Sequence, residues 1–212
     1  MYEEEGRAAF KDAIARVATL SSPERFALVT LLLKSHIEEQ GHIAMAVLRM
    51  GLDEIGPKHF DQVDDLLDDF TSWSIVDDFA TGKGSITAVL LGRYPKEALS
   101  LHERWLTSPN QWKRRTSVVS FTRKTASDGE YVDQTLRFCE ALKHASEDLV
   151  QKGVGWALKD TIRAGPAAKR RVIALVKRMR REGIPSTITL YAIRDLKGAE
   201  REAILKIKPA NK

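Results

Sequence analysis

Apolar residues recur along most of this chain at three- and four-residue spacings, the period of an α-helix with one buried face. The strict two-residue alternation of a half-buried strand is nearly absent. Asp128-Gly129 is a hairpin-type dipeptide, but it lies between two helical patterns. Proline supplies the punctuation. Pro23, Pro57, Pro95, Pro109, Pro166 and Pro185 each precede or open an apolar-periodic stretch. Proline at a first helical position has its φ angle pre-set and lacks only an N–H that the helix does not use, and a serine just before it can cap. The pattern predicts helices near 4–19, 23–38, 42–51, 57–70, 73–80, 84–93, 95–107, 109–126, 130–145, 147–163, 166–182 and 186–196, with the tail after 197 unassigned. The connections are short, so successive helices are expected to pack antiparallel. Pro23, Pro57 and Pro95 space the pairs at somewhat under forty residues. The expected fold is all-α, a superhelical solenoid of degenerate helix pairs forming one domain over 1–212, with a compact irregular bundle as the structural alternative.

The stretch 57–70 shows how the faces divide. Val63, Leu66, Leu67 and Phe70 form an apolar stripe, and Asp61, Asp64, Asp65, Asp68 and Asp69 form an acidic one opposite it. Carboxylates spread along a whole face read as a solvated surface rather than a metal site.

Charge changes the picture at the level of the whole chain. Residues 1–100 carry 10 Lys/Arg and 17 Asp/Glu, and residues 101–212 carry 24 and 12, for a net charge of +5. The front half is acidic and the back half strongly basic, so the field favours a polyanion at one end. Lys169-Arg170-Arg171 and Lys177-Arg178-Met179-Arg180-Arg181 add to this, although such runs by themselves are often solvated helix faces. No apolar run approaches membrane-spanning length. The acidic start, Met1-Tyr2-Glu3-Glu4-Glu5, is unlike a basic leader, and the single Cys139 reads as a buried, reduced thiol. These features together predict a cytoplasmic, nucleoid-associated protein.

Several candidate chemistries fall away. Thr81-Gly82-Lys83-Gly84-Ser85 lacks both the spacing and the preceding strand of a phosphate loop, so it reads as a helix connection. The five histidines have no metal-ligand spacing, and no Ser–His–Asp arrangement stands out. No metal or cofactor is expected.

Three tryptophan segments remain. In the first, Trp73 and Asp77 are four residues apart and share a helix face. The second runs from Trp105 through Ser108-Pro109-Asn110 to Trp112, Arg114 and Arg115, with Trp112 and Arg115 on a shared face. The third, Lys152-Gly153-Val154-Gly155-Trp156-Ala157-Leu158-Lys159, places two glycines inside a helix. Each glycine costs about 1 kcal/mol there, so close packing or a close ligand must offset it. Taken singly, each tryptophan reads as core.

At these residues the chain resembles the AlkD family of alkylpurine DNA glycosylases. The family pattern Trp-x-x-Val-Asp stands as Trp73…Val76-Asp77. The pattern Trp-Ile-x-Ser-x-Asn-x-Trp-x-x-Arg stands as Trp105 to Arg115, and Lys-x-x-Gly-Trp-x-Leu as Lys152 to Leu158. The likeness covers residues 70–165 well and the flanks loosely. It implies HEAT-like repeats with a basic DNA-binding face and removal of cationic N3- or N7-alkylated purines. Position by position, it implies Asp77 as the catalytic carboxylate, Trp73 and Trp156 as aromatic walls, and Arg115 as a backbone-contacting arginine. Arg114, Trp112, Lys152 and Lys159 complete the expected DNA-binding set.

The chain also departs from the family. Residues 1–50 carry no recognisable family pattern, and the segment before Trp73 is short. Lys159 stands where arginine is common, and Ser74 replaces a bulkier or acidic residue. Branches with a short amino terminus bind duplex or branched DNA without excising bases. Retention of both Trp73 and Asp77 nonetheless makes a monofunctional DNA glycosylase, acting as a monomer, the activity that the resemblance implies. The alternatives are a non-catalytic DNA-binding relative and a scaffold for acidic proteins.

Overall fold

A computed structural model describes residues 11–209, and the portions of the chain predicted as helix over 4–10 lie outside them. The described residues are all-α and contain no strand. No helix among them is long and apolar enough to cross a membrane. The chain divides into two compact units, Met1–Asp78 and Phe79–Lys212.

The first unit holds α1 (11–18), α2 (Ser22–Lys34), α3 (Glu38–Met50), α4 (Phe60–Leu66) and all but the last two residues of α5 (Trp73–Ala80). Ser21 rather than Ser22 caps α2. Its backbone N–H donates to Glu24 Oε2 at 2.9 Å, and Pro23 sits in the first turn. The apolar run predicted to continue to 38 stops at Lys34. There the Ser35 hydroxyl donates back to the Leu32 carbonyl (2.7 Å) and accepts the Ile37 N–H (3.2 Å), while His36 turns left-handed at φ 58°. Helix α2 packs on α3, burying Phe26, Val29 and Leu33 with Ala44, Met45 and Leu48. Val63, Leu66, Leu67 and Phe70 are all buried, as the stripe predicts. Short 3-10 turns at Pro57–His59 and Leu67–Asp69 flank α4, so the stretch 57–70 is not one continuous α-helix.

The second unit holds α6 (Ile86–Arg93), α7 (Pro95–Leu106), α8 (Gln111–Val119), α9 (Arg123–Ser127), α10 (Val132–Ala141), α11 (Asp148–Thr161), α12 (Pro166–Arg181), α13 (Ser186–Ala192) and α14 (Gly198–Leu205). The last of these fills the unassigned tail. The predicted 109–126 helix is broken in two. Hydroxyls of Ser120 and Thr122 donate to the carbonyls of Thr116 (2.8 Å) and Val119 (2.6 Å), and Arg123 adopts φ 52°. Phe79, His102, Trp105, Phe121, Tyr131 and Phe138 make an aromatic core with ring centroids 4.8 to 6.4 Å apart. Cys139 is buried and free, and burial pushes its thiol well above the usual range.

Helix α11 is the hub of this unit, packing on α8 and α13. A Cβ added at Gly153 would lie 3.1 Å from Val119 Cγ1. One added at Gly155 would lie 2.7 Å from Tyr191 Cβ and 2.9 Å from the Ile188 carbonyl oxygen. Both glycines are therefore explained by close helix packing.

Candidate functional site

Trp73 opens α5. The Ser72 hydroxyl accepts the Ile75 N–H at 3.4 Å and starts the helix in the manner of an N-cap. Ile75 and Val76 face the core and are 1% and 0% exposed, whereas Trp73 is 54% exposed. Asp77, one turn on, is half-buried on the same side of the helix as Trp73.

The adjoining stripe of α5 carries Ser74 and Asp78, and both meet His42 of α3. His42 Nδ1 lies 3.0 Å from Asp78 Oδ2, and Nε2 lies 3.2 Å from Ser74 Oγ. Arg49 donates to both the carboxylate and the backbone carbonyl of Asp78, and Ser74 donates to Glu38. Hydrogen bonds from the Ser74 and Ser72 hydroxyls hold the Glu38 carboxyl below the usual range. This Ser–His–Asp arrangement is not legible in the sequence, because residue 42 lies more than thirty positions from residues 74 and 78.

In the second unit, Ser108-Pro109-Asn110 is a capping device. Asn110 Oδ1 accepts the Trp112 N–H at 2.8 Å to start α8, and the Ser108 hydroxyl accepts the Asn110 N–H at 3.1 Å. Trp105 is fully buried and Trp112 half-buried. Arg114 donates to the Ser108 carbonyl and to Glu147. Arg115 is 4% exposed, with Nη1 donating to the Leu149 carbonyl of α11 at 2.6 Å. Lys152 is half-exposed and pairs with Asp148 one turn earlier at 2.6 Å.

Asp160, 1% exposed, organises the end of α11. Its Oδ2 accepts the Trp156 indole N–H at 2.7 Å and the Arg123 backbone N–H at 2.8 Å. Lys159 Nζ lies 3.0 Å from Asp160 Oδ1, and Lys159 is itself 7% exposed. The Arg123 guanidinium carbon stands 5.5 Å from the Trp156 ring centroid, a cation over an aromatic face. Sequence reasoning singled out Trp156 and Lys159 but missed Asp160 and Arg123. The only available signal was the i,i+4 spacing of Trp156 and Asp160.

Trp73 and Asp77 thus lie in the first unit, and Trp112, Arg114, Arg115, Lys152, Trp156 and Lys159 in the second. Among the described residues, no group of three or more His, Cys, Asp or Glu side chains is placed to hold a metal ion. The sequence matches the family described as DNA alkylation repair enzyme over residues 3–196. The chain belongs to the DNA alkylation repair enzyme family. The match reaches almost to the amino terminus, so the front segment, in which the motif reading found no family pattern, is part of the family's extent. No curated protein matches the chain. Membership in a DNA alkylation repair family implies DNA as the partner.

Proposed function

We propose that this DNA alkylation repair family member is a monofunctional DNA glycosylase, hydrolysing the N-glycosidic bond of purines that N3- or N7-alkylation has made cationic. The observation that carries the proposal is the pair at the start of α5. An exposed tryptophan, 54% accessible, stands one helical turn from a half-buried carboxylate. Leaving an indole in water forfeits the burial that usually places tryptophan in a core, so the exposed face is available to a ligand.

The chemistry asks for these groups. Alkylation puts a positive charge on the purine and weakens its bond to the sugar. As the bond lengthens, charge passes from the base to an oxocarbenium-like sugar, as in glycoside hydrolysis. The departing base leaves neutral and needs no strong general acid. Asp77 stabilises the sugar cation and orients the attacking water. The exposed indole face of Trp73 attracts a cationic lesion or sugar by roughly 0.5–2 kcal/mol, whereas Trp156 already carries the Arg123 guanidinium over its ring. Backbone phosphates are met by cations of the second unit. Lys152 and Arg123 are exposed, whereas Arg114, Arg115 and Lys159 are engaged with internal partners and must exchange them to reach a phosphate.

The test is release of base from duplex DNA containing N7-methylguanine. The wild-type protein is expected to release it above the spontaneous rate, and Asp77→Asn to lose about a hundredfold or more of that excess. Wild-type release no faster than spontaneous sinks the glycosylase and leaves a DNA-binding relative.

A further inference from the structure

We propose that His42 is a positioning residue for this chemistry, a clamp that fixes the rotation of α5 and hence the direction in which Trp73 and Asp77 point. The inference rests on the reading that Asp77 acts on the sugar. Its structural basis is independent of that reading.

At 3.6 residues per turn, the Ser74/Asp78 stripe lies about 100° around α5 from the Trp73/Asp77 stripe. A single imidazole holds both ends of the first stripe, with Ser74 three residues before Asp77 and Asp78 immediately after it. A rotation of the helix that turned Asp77 away would break both bonds. Arg49 adds a hold on the Asp78 carboxylate and carbonyl, so Asp78 is gripped from two positions on α3. The helices also approach closely at this point. Gly41, the neighbour of His42, lies so near Ile75 that an added Cβ would fall 2.4 Å from Ile75 Cδ1. His42 therefore stands at a contact that the backbone already brings together.

Hydrogen-bond accounting separates this role from nucleophilic catalysis. Ser74 has one hydroxyl proton, and the ionised Glu38 carboxylate, which can only accept, takes it. His42 meets Ser74 Oγ through Nε2 and the Asp78 carboxylate through Nδ1. Because the Ser74 hydroxyl is directed to Glu38 rather than to the imidazole, Ser74 is held as a bridge and not set up as an activated nucleophile. The chain Glu38–Ser74–His42–Asp78–Arg49 is a continuous hydrogen-bonded brace between α3 and α5.

The experiment compares the full-length wild type with His42→Ala, His42→Asn and Ser74→Ala. Single-turnover release of N7-methylguanine and affinity for the same duplex are measured separately. Backbone hydrogen exchange of residues 74–78 is followed in the free protein. A misdirected reacting group costs rate rather than affinity, so His42→Ala is expected to slow release by about tenfold to a hundredfold. Duplex affinity is expected to stay within about twofold, because no phosphate contact is lost. His42→Asn can still donate to Asp78 and is expected to recover part of the rate. Ser74→Ala is expected to fall between wild type and His42→Ala. In both alanine variants, exchange of 74–78 is expected to accelerate.

If the wild type releases no base, the glycosylase reading fails alone and the clamp is judged on exchange. Faster exchange in His42→Ala then supports it, and unchanged exchange overturns it. If the wild type is active, an unchanged rate in His42→Ala overturns the positioning role. A loss confined to affinity overturns it equally.

Discussion

His102 illustrates what a single residue contributes when its surroundings rather than its type decide its behaviour. It is 1% exposed, packed between Trp105 and Phe121, and donates from Nδ1 to the Ala98 carbonyl at 2.7 Å. Its Nε2 has no hydrogen-bond partner, so protonation there would strand a buried charge. Desolvation pushes the imidazole down to about 4, against the one favourable bond to Ala98. Above about pH 6.5 both folded and unfolded chains carry a neutral ring, and the residue adds no pH dependence. As pH falls from 6.5 towards 4, only the unfolded chain takes up the proton. Folding stability should then drop by on the order of 3 kcal/mol. Urea unfolding at pH 7 and pH 4.5 measures this, and His102→Leu is expected to flatten that part of the slope. Asp160 is a buried carboxylate with donors and cations around it. Its position explains why Trp156 is held edge-on by a hydrogen bond while its face lies beneath Arg123.

At the scale of elements, two departures from sequence periodicity have tertiary causes. The stretch 109–126 has enough helical pattern to be read as one helix. It breaks because Ser120 and Thr122 bond to their own backbone and because Asp160, from α11, captures the Arg123 N–H. Gly153 and Gly155 look costly inside α11 until its neighbours are placed. Gly155 lies against the Ile188 carbonyl, which is helix backbone and cannot step aside. Gly155→Ala gains about 1 kcal/mol of helix propensity but overpacks the α11–α13 contact by roughly 1–3 kcal/mol. The expected net result is a loss of up to about 2 kcal/mol, read as a lower urea midpoint at an unchanged denaturant slope. A more stable variant would show that α13 shifts to make room.

Across the whole molecule, the basic back half is less free than its charge count implies. Lys169 pairs with Glu200 at 2.7 Å, Arg171 with Asp133 at 2.5 Å, and Arg178 with Glu140. Arg180 donates to the Leu205 and Ile207 carbonyls and ties down the carboxy-terminal segment. Much of the α12 charge therefore joins helices to one another. Phosphate contacts release counterions, so each one steepens the fall of duplex affinity with salt. Lys152→Ala is expected to reduce the slope of log affinity against log salt by about one unit. Lys169→Ala is expected to leave the slope unchanged. Filter binding or anisotropy over a salt series measures both, and equal slopes for wild type and Lys152→Ala would remove Lys152 from the interface.

The sequence by itself determined the helical class, most helix starts and the family. Proline, capping residues and the 3.6-residue period act within a few positions, and the tryptophan motifs are contiguous in the chain. It could not determine which charged side chains face outward. Arg115 and Lys159 look like free cations in a linear reading, yet Arg115 is buried against the Leu149 carbonyl of α11 and Lys159 between its neighbour Asp160 and the distant Asp195. Nor could it show His42 meeting Ser74 and Asp78, or Asp160 holding Arg123, because those contacts close over more than thirty residues of chain. Local chemistry sets where helices begin. Only their packing decides which of their polar groups are spent holding the protein together and which are left for DNA.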